Sequence, residues 1–179
     1  EMGVTWFEEP RPSSDLKGLH LIRENAPAGM NIAAGEYGYN LPYFEQMMSA
    51  GSVDVLQADA TRCGGISTFI KAGHACEAHQ MPFSSHCAPS IHLHAALSLP
   101  SFFTGEYFFD HARIEKMLFD GVHEPVKGAL YADFRSVGRR CAVRRGHYVP
   151  ARAHGRSAWH DPEYGCPHGS SGRSWRQPG

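Results

Sequence analysis

The chain has 179 residues, of which 42% are hydrophobic, and its formal net charge of -1 gives no global electrostatic signature of a polyanionic partner. No segment approaches the roughly 18 to 20 apolar residues of a membrane span, and no signal sequence opens the chain, so we predict no membrane association. The cysteines are odd in number and never spaced as C-x-x-C, which argues against a disulfide framework or a zinc knuckle and favours a reducing cytoplasm: Cys63, Cys76, Cys87, Cys141 and Cys166.

Short apolar strands alternate with helices through the first three quarters of the chain. The run at 4–7 ends at Glu8-Glu9-Pro10, because proline cannot donate to a strand ladder. Ser13 or Ser14 is the expected N-cap of the first helix. We predict strands at 4–8, 31–36, 53–59, 81–86 and 102–109, helices at 14–26, 40–50, 64–79 and 89–99, and closing loops with a short hairpin at 113–135. Regular alternation of this kind favours a parallel sheet.

One polar side chain closes each predicted strand, at intervals of 20 to 28 residues: Glu8, Glu36, Asp59, His86 and Glu106. That interval is the length of a strand, a helix and their connections, so these side chains should share one rim of a β/α barrel, where such barrels place their active sites. A complete barrel needs about 250 residues. We therefore predict an α/β fold comprising about strands four to eight of a barrel, in a fragment that lacks the part before residue 1.

The last 42 residues differ sharply from the rest of the chain. They carry eight Arg against two acidic residues and contain no Leu, Ile, Met or Phe. Such a segment cannot bury enough apolar surface to offset its ordering entropy, so we predict a barrel domain at 1–137 and a disordered basic tail at 138–179. Two interpretations of this tail stay open: a frameshift near Val137-Gly138, which we favour, and a nucleic-acid-binding segment.

Two kinds of chemistry are indicated at the rim. Glu8 and Glu36 end neighbouring strands and can share one magnesium ion, which prefers carboxylate and water oxygens. Asp59 and His86 also end neighbouring strands, and an Asp that holds one imidazole nitrogen raises the basicity of the other. The alternative for this pair is a buried histidine with a structural carboxylate partner.

Other polar side chains near these strand ends have simpler explanations. Arg62 could tune Asp59, but we interpret it as a surface salt-bridge partner. His92 and His94 resemble an H-x-H zinc motif of a metal-dependent hydrolase, yet they fall within a predicted helix, where side chains at i and i+2 diverge. Cys87 suggests a nucleophile, although no second base is indicated for it.

Five ordered motifs resemble the enolase superfamily, and within it the barrel of the mandelate racemase/muconate lactonizing enzyme family. The resemblance covers about residues 1–135. It rests on Trp6-Phe7-Glu8-Glu9-Pro10, Ala34-Gly35-Glu36, the segment from Gln57 to Gly65, Ser84-Ser85-His86 and Gly105-Glu106-Tyr107.

The resemblance implies removal of the proton α to a carboxylate, with Mg²⁺ stabilising the enediolate. By motif, Glu8 and Glu36 match metal ligands, His86 the general base, Asp59 its partner, and Glu106 an acid that hydrogen-bonds the substrate. The family's first metal ligand, its Lys-x-Lys base and its capping domain would precede Glu1.

The resemblance favours dehydration of an acid sugar or another small hydroxy-carboxylate. A racemase or epimerase of the same family and a non-catalytic gene remnant are the alternatives. The parent enzyme is expected to be a homo-oligomer, and the chain alone is expected to be inactive because a ligand and three strands are missing.

Overall fold

The computed structural model describes residues 3–132 and the two-residue strand Ala142–Val143. The described residues all belong to one compact unit, Glu1–His147. Apart from Ala142–Val143, the tail at 138–179 lies outside the described residues, as do its predicted disorder and the proposed frameshift junction. The domain boundary at residue 137 therefore stays a prediction.

Five parallel strands form one sheet in the order of the sequence, β1-β2-β3-β4-β5. Trp6 of β1 pairs with Asn31 of β2, and Leu56 of β3 pairs with Phe83 of β4. The sheet confirms the predicted α/β architecture and its five β/α repeats. The strands are β1 Trp6–Glu8, β2 Asn31–Ala34, β3 Val55–Ala58, β4 Phe83–Ser85 and β5 Phe102–Gly105.

A helix follows each strand: α1 Leu16–Glu24, α2 Leu41–Ser49, α3 Ile66–Ala78, α4 Pro89–Ala96 and α5 Phe109–Leu118. The first helix begins later than predicted. Asp15, and not Ser13 or Ser14, is its N-cap, because the Asp15 carboxylate accepts a hydrogen bond from the amide of Gly18. Asn40 caps α2 in the same way, through the amide of Tyr43.

The segment after β5 differs from the prediction of a long strand followed by loops. The strand ends at Gly105, and residues 109–118 form α5. Only Ala112 and Glu115 of this helix are buried, so its apolar periodicity is weak in the sequence. A two-residue strand, β6 Phe119–Asp120, follows and pairs antiparallel with β7 Ala142–Val143.

The hydrophobic core lies between one face of the sheet and the helices. Leu56 and Ala58 of β3 belong to it, together with Phe44 of α2 and Phe69 of α3. Gln57, which lies between the two core residues of β3, belongs to the opposite face because side chains alternate along a strand. None of the helices that the structure describes has the length and apolar character needed to span a bilayer.

The opposite face of the sheet carries polar side chains. Glu8, Gln57 and Ser84 line a cavity of about 450 Å³ on this side. Gln57 and Ser84 are each 1% exposed, and the Gln57 side-chain oxygen and the Ser84 hydroxyl have no hydrogen-bond partner among the described residues. The sheet therefore separates an apolar face toward the helices from a face of mixed character toward the cavity, which Trp6 and Phe103 also line.

Candidate active site

The five polar residues that close the predicted strands lie at, or within two residues of, the carboxyl ends of strands β1 to β5. Backbone hydrogen bonds extend the ladder beyond the strands: the His86 amide donates to Ala58 at 3.0 Å, and the Glu106 amide donates to Ser85 at 3.0 Å. These bonds hold the chain segments after β3, β4 and β5 side by side. The side chains that follow the strands consequently converge.

Asp59 and His86 form the predicted pair. The Nδ1 atom of His86 lies 2.9 Å from Oδ2 of Asp59, and the Asp59 side chain is 3% exposed. The other carboxylate oxygen accepts hydrogen bonds from the amide and hydroxyl of Thr61, at 2.8 and 2.7 Å. Burial alone would raise the pKa of Asp59, but the hydrogen bonds from His86 and Thr61 outweigh it and lower that pKa to about 2. Asp59 is therefore a fixed anion beside the imidazole.

Two more carboxylates face the other imidazole nitrogen. Nε2 of His86 lies 2.9 Å from Oε2 of Glu36 and 3.8 Å from Oε2 of Glu106. Burial acts to lower the pKa of His86, but the hydrogen bond with Asp59 and the charges of Glu36 and Glu106 raise it above its usual value. In this arrangement the imidazole is flanked by an acceptor at each nitrogen.

Glu106 is held in place by its neighbour on the β4 side. Its Oε2 atom accepts a hydrogen bond from the Cys87 amide at 2.9 Å and another from the Cys87 thiol at 3.2 Å. The Glu106 side chain remains 27% exposed and also lines the cavity. Its carboxylate is thus fixed by the protein and accessible to a ligand.

Arg62 belongs to this group of side chains: it is a salt-bridge partner, as predicted, but its partners are carboxylates of the site and its side chain is only 32% exposed. Its Nη1 atom lies 3.2 Å from Oε1 of Glu36, and its Nε atom lies 3.7 Å from Oδ2 of Asp59. The guanidinium also lies over the ring of Tyr37, 5.0 Å from the centroid. Arg62 is a cation that offsets part of the negative charge around His86.

Glu8 lies on the cavity side of the group. Its Oε2 atom accepts a hydrogen bond from the indole of Trp6 at 2.9 Å, and it lines the same cavity as Glu106. Among the residues that the structure describes, Glu8 has no hydrogen bond to Glu36. The structure thus brings Glu36, Asp59, His86 and Glu106 into one contact network, with Glu8 beside it.

The carboxylates at this end of the sheet suit a hard cation. Burial raises the pKa of Glu9, and the charges of Glu36 and Glu8 raise it further, against the opposing effect of its hydrogen bond from the Gly35 amide. Several carboxylates therefore crowd one end of the sheet and repel one another. Carboxylate oxygens are the ligands that Mg²⁺ prefers, so Glu8 and Glu36 are chemically suited to hold it.

His92 is a buried residue of this region that the sequence analysis did not assign to the site. It lies in α4, is 1% exposed, and bridges two loops: Nε2 accepts from the Ala60 amide at 2.8 Å, and Nδ1 donates to the Cys87 carbonyl at 2.9 Å. His92 is the first histidine of the H-x-H motif. Both histidines of the motif lie in α4, where side chains at i and i+2 diverge, as predicted. His92 connects the loop after Asp59 with the loop after His86.

The chain is similar in sequence to known proteins. Residues 1–135 match the family model described as enolase C-terminal domain-like. A 3,6-anhydro-alpha-L-galactonate cycloisomerase of Streptomyces coelicolor is 35% identical over 96 residues, covering 53% of this chain and 26% of the relative. An L-talarate/galactarate dehydratase of Salmonella typhimurium is 31% identical over 100 residues, covering 56% of this chain and 25% of the relative.

Solved structures agree with these matches. A mandelate racemase/muconate lactonizing enzyme-like protein from Rubrobacter xylanophilus is 41% identical, with a TM-score of 0.65 over 78% of this chain and 42% of its own. An enolase from Bradyrhizobium, complexed with magnesium and mandelic acid, is 26% identical, with a TM-score of 0.66 over 76% of this chain and 36% of its own. The aligned part of this chain spans about a quarter of the curated relatives.

Proposed function

Because this chain belongs to the enolase superfamily, among its mandelate racemase/muconate lactonizing enzyme-like proteins, we propose that it carries the base of an enzyme that removes the proton α to a carboxylate. The observation that carries the proposal is the contact of 2.9 Å between His86 Nδ1 and Asp59 Oδ2. That contact lies at the carboxyl ends of adjacent parallel strands, among two further carboxylates. The substrate class is a small hydroxy-carboxylate.

His86 is the general base of the proposed reaction, and Asp59 orients it. Asp59 accepts a hydrogen bond from Nδ1–H, so the lone pair of the neutral ring lies on Nε2, where a substrate proton is taken up. The imidazolium that forms is stabilised by the Asp59 charge. Thr61 fixes the second oxygen of Asp59 and prevents the carboxylate from rotating away from the ring.

Glu106 is the proposed acid that hydrogen-bonds the substrate carboxylate or enediolate. Its carboxyl group borders the cavity, and the Cys87 amide holds one of its oxygens. The second oxygen is then available to a ligand. A hydrogen bond from the Glu106 carboxyl group would stabilise the negative charge that develops on a substrate oxygen.

Glu8 and Glu36 would hold Mg²⁺ in the proposed enzyme, together with ligands from outside this chain. When bound, the ion supplies Lewis-acid stabilisation of the charge that develops on the substrate carboxylate. Glu36 also contacts His86 Nε2, the atom that must accept the proton. His86 can therefore act only when the contact between Glu36 and Nε2 is open, and Arg62 offers Glu36 another partner.

Of the two possible activities, we propose dehydration of an acid sugar rather than racemisation. Relatives with dehydratase and cycloisomerase names support this preference, as does the dyad of His86 and Asp59, because one acid–base group is sufficient for loss of an α-proton and a β-hydroxyl. Racemisation needs an acid–base group on each face of the substrate. The two reactions are separated by their products: a dehydratase releases water and forms a keto acid, whereas a racemase returns the same acid with the opposite configuration.

The test is exchange of the α-proton with solvent deuterium, followed by NMR. Galactarate, L-talarate and mandelate are incubated in D₂O with Mg²⁺ and either the chain itself or a chimera. In the chimera, residues 1–135 replace the matching segment of the Rubrobacter protein. We expect no exchange by the chain alone. The chimera should exchange at least one acid, and His86→Asn should slow that exchange by about 100-fold or more.

His79→Asn is the matched control, because His79 is a surface histidine paired with Glu45. It should leave exchange in the chimera unchanged. If the chimera exchanges the α-proton equally well with the His86→Asn change, the assignment of the base is wrong. If the chimera folds and exchanges none of the acids, the gene-remnant alternative is supported instead.

A further inference from the structure

Three different ligand types meet beside the proposed base. His86 Nε2, Cys87 Sγ and a carboxylate oxygen of Glu106 all lie within 4.8 Å of one another. The sulfur is 3.3 Å from His86 Nε2 and 3.2 Å from Glu106 Oε2, and the nitrogen and oxygen are 3.8 Å apart. An imidazole, a thiol and a carboxylate form a donor set quite unlike the oxygen ligands of Glu8 and Glu36.

The triangle formed by these three atoms has the dimensions of a tetrahedral metal site. Zinc bonds of about 2.3 Å to sulfur and about 2.0 to 2.1 Å to nitrogen or oxygen give ligand–ligand distances of about 3.3 to 3.6 Å. Each of the three observed distances agrees with that range within a few tenths of an ångström. We propose that His86, Cys87 and Glu106 form a binding site for a thiophilic divalent cation such as Zn²⁺, separate in its ligands from a magnesium site.

The local backbone holds the sulfur in place. Cys87 has a φ of 46° and Ala88 a φ of 39°, a left-handed conformation that non-glycine residues adopt at an energetic cost and that is often kept at ligand-binding sites. The Cys87 amide binds Glu106, and the Cys87 carbonyl binds His92. The backbone on both sides of the thiol is thus anchored, which reduces the rearrangement that binding requires.

Binding of the cation replaces hydrogen bonds among the three side chains with metal–ligand bonds and releases protons to water. The Cys87 thiol now donates to Glu106. When a cation enters, a metal–sulfur bond forms, the S–H bond breaks, and the proton leaves to water. His86 contributes the Nε2 lone pair after its contact with Glu36 opens, and a proton carried by that nitrogen also leaves to water; Glu106 contributes one oxygen. The fourth position faces the cavity that Glu106 lines, where water or an acid ligand completes the coordination.

The consequence for catalysis rests on the proposed function of His86 as base. A cation that takes the Nε2 lone pair removes the atom that accepts the substrate proton, so occupancy of this site inhibits the enzyme. Mg²⁺ does not compete well for thiolate and imidazole, whereas Zn²⁺ and Co²⁺ do. One end of the sheet therefore distinguishes a hard activating ion from a softer inhibiting one.

The test is a spectroscopic titration of the full chain with Co²⁺ and without substrate. Cys141 and Cys166 are first changed to serine, because they lie in a segment with several histidines. We expect a thiolate-to-cobalt charge-transfer band in the near ultraviolet, lost on Zn²⁺ addition and retained in excess Mg²⁺. Cys87→Ser should abolish the band. Cys76→Ser is the matched control, because that buried thiol contacts Met48 and should leave the band unchanged.

X-ray absorption at the zinc edge gives a second readout that does not depend on whether Cys87→Ser folds. The sample is the Zn²⁺-loaded chain with Cys141→Ser and Cys166→Ser and an intact Cys87. It should show one sulfur at about 2.3 Å with nitrogen or oxygen ligands. A shell without sulfur, or a charge-transfer band that persists in folded Cys87→Ser, overturns the proposal. Since both readouts use metal alone, their failure is distinguishable from a failure of α-proton exchange in the chimera.

Discussion

The charge of Asp59 is the residue-scale feature on which the candidate site depends. It is buried, it is bonded to His86 and Thr61, and its pKa of about 2 lies below the ordinary 3.8. A depressed carboxyl pKa stabilises the folded state above the unfolded pKa, and this stabilisation is lost as the pH falls through the folded pKa. The free energy of unfolding should therefore contain a contribution from Asp59 that is complete at neutral pH.

Replacing Asp59 by Asn tests this contribution. We expect Asp59→Asn to lower the free energy of unfolding at pH 7 by on the order of 2 kcal/mol. The difference from the unmodified chain should shrink as the pH falls from about 4 towards 2, because the carboxylate then becomes protonated. Urea unfolding at several pH values measures it. Asp110→Asn, at an exposed site paired with Arg113, should change stability little at any pH; an equal effect of both variants would contradict the argument.

The buried cysteines give a second prediction at the residue scale. Burial raises the pKa of Cys63 to about 11 and that of Cys76 to about 12, and burial with the neighbouring Glu106 charge raises that of Cys87 to about 12. Thiolate is the reactive form, so these residues should be inert at pH 8. In a Cys141→Ser, Cys166→Ser background, a disulfide reagent should modify none of the three before unfolding and all three in urea. A rapidly reacting thiol that is lost in Cys87→Ser would show that Cys87 is accessible and activated.

At the scale of elements, the close approach of β2 to β3 determines where Glu36 lies. Gly35 follows β2 with a φ of 133°, and a Cβ added there would overlap the backbone carbonyl of Gln57 in β3. The glycine therefore allows the chain to turn at the strand end and present Glu36 to His86 and Arg62. A side chain at position 35 would have to push the two strands apart.

Gly35→Ala should destabilise the chain by about 2 kcal/mol or more, because both backbone strain and steric overlap oppose it. Gly29→Ala is the matched control: Gly29 also has a positive φ, of 84°, but a Cβ there meets nothing within 4 Å. It should cost only about 1 kcal/mol. Urea unfolding of the two variants compares them, and equal losses would mean that strand contact at Gly35 is unimportant.

The elements also show which features of the structure the sequence reveals. Strong alternation of apolar strands and amphipathic helices predicted β1 to β5 and α1 to α4 within a few residues. It did not predict α5, because little of that helix is buried. The Asp15 cap was missed because two serines precede it with the same capping chemistry.

Strand-end spacing placed Glu36, Asp59, His86 and Glu106 close together and paired Asp59 with His86, but it did not predict the other contacts of these side chains. Nothing in local sequence shows that Arg62 contacts Glu36 or that His92 binds the Ala60 amide, since those contacts depend on side-chain directions across neighbouring repeats. The same holds for the bond between Cys87 and Glu106, which connects the ends of two strands. The β/α repeat determines which residues end the strands, whereas side-chain packing determines the contacts that they make with one another.

At the scale of the whole molecule, the sheet is open. Within the described residues, β1 and β5 each pair with a strand on one side only. Unpaired strand edges present free amide and carbonyl groups and can pair with another chain. Phe103 of β5 is 60% exposed and lines the cavity, so an apolar side chain adds to this edge. Association through this sheet edge is distinct from the homo-oligomer that we predict for the parent enzyme.

The isolated chain should therefore self-associate through the edge at β5, and Phe103→Lys should weaken that association. A lysine on an edge strand places a charge where another strand would pair, which natural sheets use to prevent association. Sedimentation velocity over a range of concentrations should show a lower average mass for Phe103→Lys than for the unmodified chain. Tyr39→Lys changes a side chain of similar exposure, 62%, that lies between β2 and α2 away from the edge, and should leave the average mass unchanged. A chain that is monomeric at every concentration, or an equal response to both lysines, would show that the open edge is not what drives association.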